Sequence, residues 1–348
     1  TAINYAISRN FIDGYVTYLS PYISRGVISL PLVKQQILEN HKPYQAQKLL
    51  QELAWREYWQ SVWQSVGDKI FTDLKYQQTN ATHHNMITAI ENADTGVEAI
   101  DGAVDLLYQT GYMHNHFRMY VASVTCNIGR AHWLQPSQWM YYHLLDGDWA
   151  SNTCSWQWVA GANSNKKYYA NQENINKYTN TRQANTYLDR SYEAMAQIET
   201  PAPLLHTQKF VPEIDLPAAS TIKIDIAVPT FIYNYYNLDP LWHKEETGNR
   251  ILLIEPDFFL QYPVSKKCMD FMLALCKNIS GMQLFVGSFQ SFTGIYSVEN
   301  IYYKEHPLNI GYKGTEEPRD WITDNVRGYY SSFFGYWKKV EKQIYQLK

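Results

Sequence analysis

From Thr1 to about Glu199 the apolar residues recur at helical spacing, and no alternating strand pattern interrupts them. The stretch Ala46–Trp63 (AQKLLQELAWREYWQSVW) carries Leu49, Leu53, Trp55 and Trp59 without a single Gly or Pro. Val97–Leu107 repeats the pattern, with Ile100, Val104 and Leu107 on one face. Thr110-Gly111 breaks that helix, and His116–Ile128 begins another. Gly147 and Gly161 bracket a segment that cannot be one smooth helix. A run of this kind buries its apolar stripes by packing helix on helix. The expected fold class is therefore mainly α, with a helical bundle over residues 1–199.

The pattern changes after Pro201. Residues 200–249 contain PAP, LPA, VPT and DPLW and few helical runs, which predicts an extended surface connector. Residues 250–348 form a third region. ILLIEP reads as a short buried strand, Val264–Cys276 as a helix and Met282–Val286 as a second strand, together one β-α-β unit. Tyr329–Tyr345 reads as an amphipathic, aromatic-rich helix. The expectation for 250–348 is a small α/β region closed by that helix.

Composition removes several function classes. With 30 basic and 33 acidic residues the net charge is -3, so this is no basic nucleic-acid coat protein, although a local basic patch is compatible with it. The 29 Tyr and 11 Trp are an excess that suits a protein holding flat ligands or moving electrons. Cys126, Cys154, Cys268 and Cys276 form no C-x-x-C and no metal-ligand spacing, so no metal is expected. Four cysteines in so long a chain do not make a disulfide framework, which points to the cytoplasm. Neither an apolar run of membrane-spanning length nor a signal peptide is present, so no membrane partner is expected.

Four polar-aromatic clusters stand out, all in the first half. Tyr5 and Arg9 precede Thr17-Tyr18-Leu19-Ser20-Pro21-Tyr22, where hydroxyls near a helix start suit phosphate but equally suit plain N-capping by Ser20. Glu52-Leu53-Ala54-Trp55-Arg56 places Glu52 and Arg56 one turn apart, which alone reads as a surface ion pair beside a core Trp. Thr110–Met119 (TGYMHNHFRM) sets an Asn between two His with an Arg close behind, a poor metal site because His at i and i+2 diverge on a helix. Leu144–Trp158 (LLDGDWASNTCSWQW) pairs two carboxylates around a Gly without the calcium-loop register. Those carboxylates suit either acid–base work on a glycoside or, beside Arg118, a grip on a flat heterocycle bearing N–H groups.

Together, LSPYISRGVIS (19–29), ELAWREYW (52–59), TGYMHNHFRM (110–119) and LLDGDWASNTCSWQW (144–158) resemble the FAD-binding helical domain of the photolyase/cryptochrome family. KKYYANQENINKYTNTRQ (166–183) is similar to the next segment of bacterial members. The resemblance covers about half of the chain. It implies FAD held folded in the bundle. Thr17, Leu19 and Ser20 would lie near its phosphates, with Tyr5, Glu52, Arg56 and Tyr112 around the site. Asn115 and Arg118 would lie around the flavin and adenine. Asp146 and Asp148 match carboxylates at the ring system, with Arg118 as ion-pair partner of Asp146. Asn152 matches the residue facing flavin N5.

The resemblance also implies a partner, DNA containing pyrimidine dimers. Glu52, Trp55, Met119 and Trp158 match the pocket for a flipped-out cyclobutane dimer. His114 matches one of the two His that (6-4) photolyases use, while Met119 stands in place of the second, which favours the cyclobutane lesion. Trp156 and Trp133 match the inner members of an electron-feeding tryptophan chain whose third member has no clear counterpart here. Arg9, Arg56, Lys166 and Lys167 are phosphate-contact candidates. His116 replaces an Arg that helps to grip DNA, so weak, salt-sensitive binding is expected.

The order of parts departs from the family, which carries an α/β antenna domain before the helical one. The unit at 250–286 and YYSSFFGYWKKV (329–340) are faintly similar to parts of that domain and its exit, as in a permuted or reduced antenna-like domain. The implied activity is blue-light-driven repair of cyclobutane pyrimidine dimers by electron transfer from reduced FAD, a carbon–carbon lyase reaction, by a monomer. The alternative is a cryptochrome-like photoreceptor flavoprotein without repair.

Overall fold

A computed structural model describes residues 2–346. The chain divides into two compact units. The first takes the residues up to Thr17, then Tyr44–Glu52 and Val66–Pro212. The second takes Tyr18–Pro43, Leu53–Ser65 and the residues from Glu213 onward.

Four helices open the chain: α1 (Ala2–Ser8), α2 (Ser20–Ser24), α3 (Leu30–Asn40) and α4 (Pro43–Val66). Pro sits at the start of both α2 and α3, where its missing N–H costs nothing. Ser29 caps α3 by accepting the Leu32 N–H at 3.3 Å. Ser20, expected as a cap, is instead the first residue of α2, whose cap position is Leu19 without a side-chain bond. The long helix α4 contributes residues to both units.

The first unit continues with β1 (Met86–Ile87), α5 (Thr88–Glu91), α6 (Glu98–Thr110) and α7 (Asn115–Ser123). A π-helical turn, Val124–Ile128, extends α7. Then come α8 (Leu134–His143), α9 (Trp149–Ala160), α10 (Gln172–Thr179), α11 (Tyr192–Met195) and β2 (Thr207–Gln208), which pairs antiparallel with β1. Its core joins Ile100, Val104 and Leu107 of α6 to Trp139 and Met140 of α8 and Trp156 and Val159 of α9. The expected apolar stripe of α6 is thus the buried one. Gly111 ends α6 in the left-handed region (φ 73°), and Gly161 ends α9 likewise (φ 84°).

The second unit holds a five-stranded, wholly parallel sheet in the order β5-β4-β3-β6-β7. The strands are β3 (Thr230–Tyr233), β4 (Asn249–Ile254), β5 (Met282–Val286), β6 (Ile301–Lys304) and β7 (Thr315–Glu317). Helices α12 (Pro256–Gln261) and α13 (Lys266–Cys276) join β4 to β5, and α14 (Phe289–Tyr296) joins β5 to β6. Helix α15 (Phe333–Gln346) closes the unit. The order reverses at β3, as in a doubly wound sheet.

This sheet corrects the mainly α expectation, because the chain is mixed α/β. The strands at 251–254 and 282–286 and the helix between them lie where the periodicity put them. The stretch 200–249, read as an extended connector, contains β3, the central strand. TFIY is fully buried, flanked by Val228-Pro229 and Asn234. A four-residue strand buried on both faces shows no alternation, so it reads like a short apolar patch in a Pro-rich segment.

Candidate functional site

One polar cluster of the first unit involves α7, α9 and the turn before α9. Arg118, on α7, donates through one terminal nitrogen to both carboxylate oxygens of Asp146, at 3.0 and 2.9 Å. Its Nε donates to the Met113 carbonyl at 2.8 Å. Asp146 is 7% exposed, and the guanidinium supplies an opposite charge beside its buried carboxyl. The expected pairing of these two residues is present.

The turn carrying Asp146 is tied down locally. Leu145 N–H donates to the Gly111 carbonyl at 2.9 Å. A Cβ on Gly111 would come within 2.6 Å of Leu145 Cγ, so the glycine is needed for close approach as well as for its φ. Asp148 caps α9 by accepting the Ser151 N–H at 2.8 Å. Asn152, in the first turn of α9, donates through Nδ2 to the Ser137 carbonyl at 2.8 Å, which fixes its amide. Ser151 Oγ is buried and bonds no group among the described residues. Asn115 begins α7 and is exposed, and Tyr112 precedes it, half-buried.

A second cluster gathers the N-terminal residues. Arg9 Nε lies 3.6 Å from Glu52 Oε1, and Arg9 also donates to the Ala6 carbonyl at 2.7 Å. The Glu52 side chain keeps 42% of its surface exposed. The protein mass around it nonetheless pushes its carboxyl above the usual range, with Arg9 and Lys48 opposing. Burial, and then the Glu52 charge, push Tyr5 up as well. His116 Nδ1 donates to the Asn10 carbonyl at 2.8 Å, and its ring stacks on Tyr178 at 4.8 Å. His114 accepts the His116 N–H at 3.2 Å. Burial, and then His116, hold His114 down at about 4, and burial also lowers His116. Both rings are therefore neutral at pH 7.

Trp133 and Trp156 are buried, whereas Trp158 is 39% exposed and Met119 half-buried. Lys166 is exposed and Lys167 half-buried, its ammonium pulled below the usual range by burial and by Arg130. One residue that the sequence does not point to is Asp73, which accepts the Trp133 indole N–H at 2.6 Å. Sixty residues separate the two, and no local pattern announces the pair.

Leu19, Ser20, Trp55 and Arg56 belong to the second unit. Arg56 donates to Ser24 Oγ at 2.7 Å. Phe333 of α15 stacks on Trp55 with centroids 3.6 Å apart and planes 8° from parallel. One face of Trp55 is thus filled by the chain's own aromatic ring, a contact that nothing in the local sequence reveals. Among the described residues no group of three or more His, Cys, Asp or Glu could hold a metal, and no helix is long and apolar enough to cross a membrane.

Both clusters lie on helices and turns of the first unit, a helical domain. The family profile described as the FAD binding domain of DNA photolyase matches residues 49–222. The deoxyribodipyrimidine photo-lyase of Alkalihalophilus pseudofirmus is 30% identical over 171 residues, 47% of this chain and 36% of that protein. The Synechococcus enzyme of the same name is 36% identical over 120 residues, 34% of this chain and 25% of that protein. Cryptochrome DASH of Danio rerio is 30% identical over 171 residues, 45% of this chain and 32% of that protein. The chain spans between a quarter and just over a third of these relatives' lengths. It belongs to the DNA photolyase family through its FAD-binding domain, and FAD is the cofactor of that domain.

The residues present fit FAD. A flavin ring offers N–H and C=O groups along one edge, and the Arg118–Asp146 pair sets a guanidinium and a carboxylate side by side. The unpartnered Ser151 hydroxyl and the fixed Asn152 amide add neutral hydrogen-bonding groups at the start of α9.

Proposed function

We propose that this protein uses FAD to repair cyclobutane pyrimidine dimers in DNA under blue light, splitting the dimer by electron transfer. The observation that supports this reading best is the Arg118–Asp146 pair, its carboxylate buried, on the turn that leads into the fixed Asn152 amide. Bound, reduced FAD supplies the photoexcited electron. Everything else is orientation and electrostatics from the chain.

Within this reading Arg118 and Asp146 orient the ring system, and Asp148 holds the α9 start that carries Asn152. Asn152 presents a neutral amide, which bonds to the ring without offering a proton. Tyr5, Thr17, Tyr112 and Asn115 complete the cofactor contacts in the first unit. Leu19, Ser20 and Arg56 are assigned by the family resemblance. Glu52 bonds the polar edge of the lesion, and burial raises its carboxyl above the usual range. Met119 and Trp158 supply apolar walls, and Trp55, like Arg56, is assigned by the family resemblance. Arg9, Lys166 and Lys167 meet DNA phosphates, while the neutral His116 contributes no charge. Trp156 and Trp133 carry electrons inward to the cofactor. The protein acts in the cytoplasm, as a monomer.

The test is light-dependent repair. Flavin-loaded, reduced protein is illuminated with an oligonucleotide containing one cyclobutane thymine dimer. Loss of the dimer in light but not in darkness is expected, with a strong drop for Glu52→Ala. No loss in a flavin-loaded sample overturns the repair reading. A photoreceptor is the second reading, favoured by the tryptophan chain whose third member has no clear counterpart in the sequence and by the Phe333 ring stacked on Trp55.

A further inference from the structure

The two buried tryptophans differ in one respect that matters for moving an electron. Trp156 is 2% exposed, and its indole N–H bonds to nothing among the described residues. Trp133 is fully buried, and its indole N–H points at a carboxylate, Asp73 Oδ1, 2.6 Å away. That carboxylate is held firmly. Its other oxygen accepts the Gln78 N–H at 2.8 Å, and the Gln78 side chain in turn accepts the Trp133 backbone N–H at 3.1 Å. His132 Nε2 lies 3.4 Å from the same Oδ1. His132 Nδ1 accepts the Leu134 N–H at 3.3 Å, so the neutral ring carries its proton on Nε2, facing Asp73. The His132 ring stacks on His84 at 4.6 Å. Asp73 and His132 keep 20% and 16% of their side chains exposed, so the buried indole connects to water through them.

We infer that Asp73 is the proton acceptor that makes Trp133 the end of the electron-feeding chain. This rests on the reading of Trp156 and Trp133 as electron carriers. An indole that loses one electron becomes a cation whose N–H is far more acidic than before. At Trp156 no described residue accepts the indole N–H, so the chain supplies no base there. At Trp133 the proton has a base within hydrogen-bond distance, in line with the donor. The adjacent carboxylate also favours the cation electrostatically in a low-dielectric interior.

The step balances. Trp133 gives one electron to oxidised Trp156, which has itself given one to photoexcited FAD. The Trp133 N–H bond breaks, and the proton forms an O–H bond on Asp73. A neutral Trp133 radical and a neutral Asp73 carboxylic acid remain. Reversal by simple electron return is then slow, because the proton must return too. An exogenous thiol restores Trp133, supplying one electron and one proton. Two tryptophans can in this way hold the charge separation between them.

Transient absorption on the flavin-loaded protein tests this, because cationic and neutral Trp radicals have distinct spectra. In the wild type the neutral radical is expected to form at a rate independent of buffer concentration and slowed severalfold in D2O. In Asp73→Asn, which keeps an acceptor but loses the base, the cation is expected to persist at least tenfold longer. Asp73→Glu is expected to restore the neutral radical. In the dark, the Trp133 indole proton should resonate far downfield in the wild type and move upfield in Asp73→Asn. Unchanged neutral-radical kinetics in Asp73→Asn would overturn the proposal. So would a wild-type rate proportional to buffer base, a measurement that needs no variant. Trp133→Phe separates the two layers. If it leaves flavin photoreduction unaltered, the chain reading itself fails.

Discussion

Single residues carry most of the chemistry here, and two of them allow sharp predictions. Replacing Arg118 by Met leaves the Asp146 carboxylate buried beside apolar atoms with its main partner gone. We expect about 2 kcal/mol less stability and a preparation largely stripped of flavin, read by chemical denaturation and by the ratio of visible to ultraviolet absorbance. Glu57, in the second unit, accepts from the Tyr336 hydroxyl and from the Ile322 N–H and is 2% exposed. Burial pushes its carboxyl up to about 7, against the pull of those two donors and of Arg319 and Arg327. Because the folded form holds the proton more tightly than the unfolded chain, this contribution to stability is complete at low pH. It is lost as the pH rises through the unfolded carboxylate range towards 7. The wild-type melting temperature should therefore fall between about pH 5 and about pH 7.5 relative to that of Glu57→Gln, and the two curves should run parallel above. A wild-type curve parallel to that of the variant from pH 5 upward would refute this.

At the scale of elements, the site depends on how helices end. Gly111 terminates α6 in the left-handed region, and its carbonyl holds the Leu145 N–H, so one residue stops a helix and seats the turn bearing Asp146. Gly111→Ala should cost about 1–2 kcal/mol and lower flavin occupancy together, because the strain and the Leu145 clash act on the same turn. A stable variant with full flavin would separate the cap from the site. The stop at Gly111 was legible, since such breaks are written in adjacent residues, whereas the segment between Gly147 and Gly161, read as unable to form one smooth helix, is the single helix α9, capped by Asp148 and ended by Gly161. The Asp73–Trp133 bond and the Phe333–Trp55 stack were not legible, because each joins residues far apart in the chain. β3 was hidden for a related reason. A short strand buried on both faces has no period of its own, and only its neighbours β4 and β6 make it a strand.

On the scale of the whole molecule, the net charge of -3 means that any hold on DNA comes from a few local cations. Arg9 is already engaged by Ala6 and Glu52, and Arg56 by Ser24. Of the remaining proposed phosphate contacts Lys166 is exposed, and Lys167 beside it is half-buried. Replacing both by Gln should weaken binding to a dimer-containing oligonucleotide and reduce the slope of log affinity against log salt by about 2. An unchanged slope, measured by fluorescence anisotropy over a salt series, would remove these lysines from the interface.

By itself the sequence determined the helical character of the first half, the break at Gly111 and the FAD-binding family, and it named candidate residues for meeting the cofactor. All of these are local or lie in ordered motifs, and local spacing carries them. Only the tertiary structure decided that the second half is a five-stranded parallel sheet with a central strand drawn from a Pro-rich stretch. Only it decided which carboxylate faces the Trp133 indole and which ring covers Trp55. Parallel pairing and side-chain partners are chosen by packing between distant segments, and no spacing along one segment records that choice.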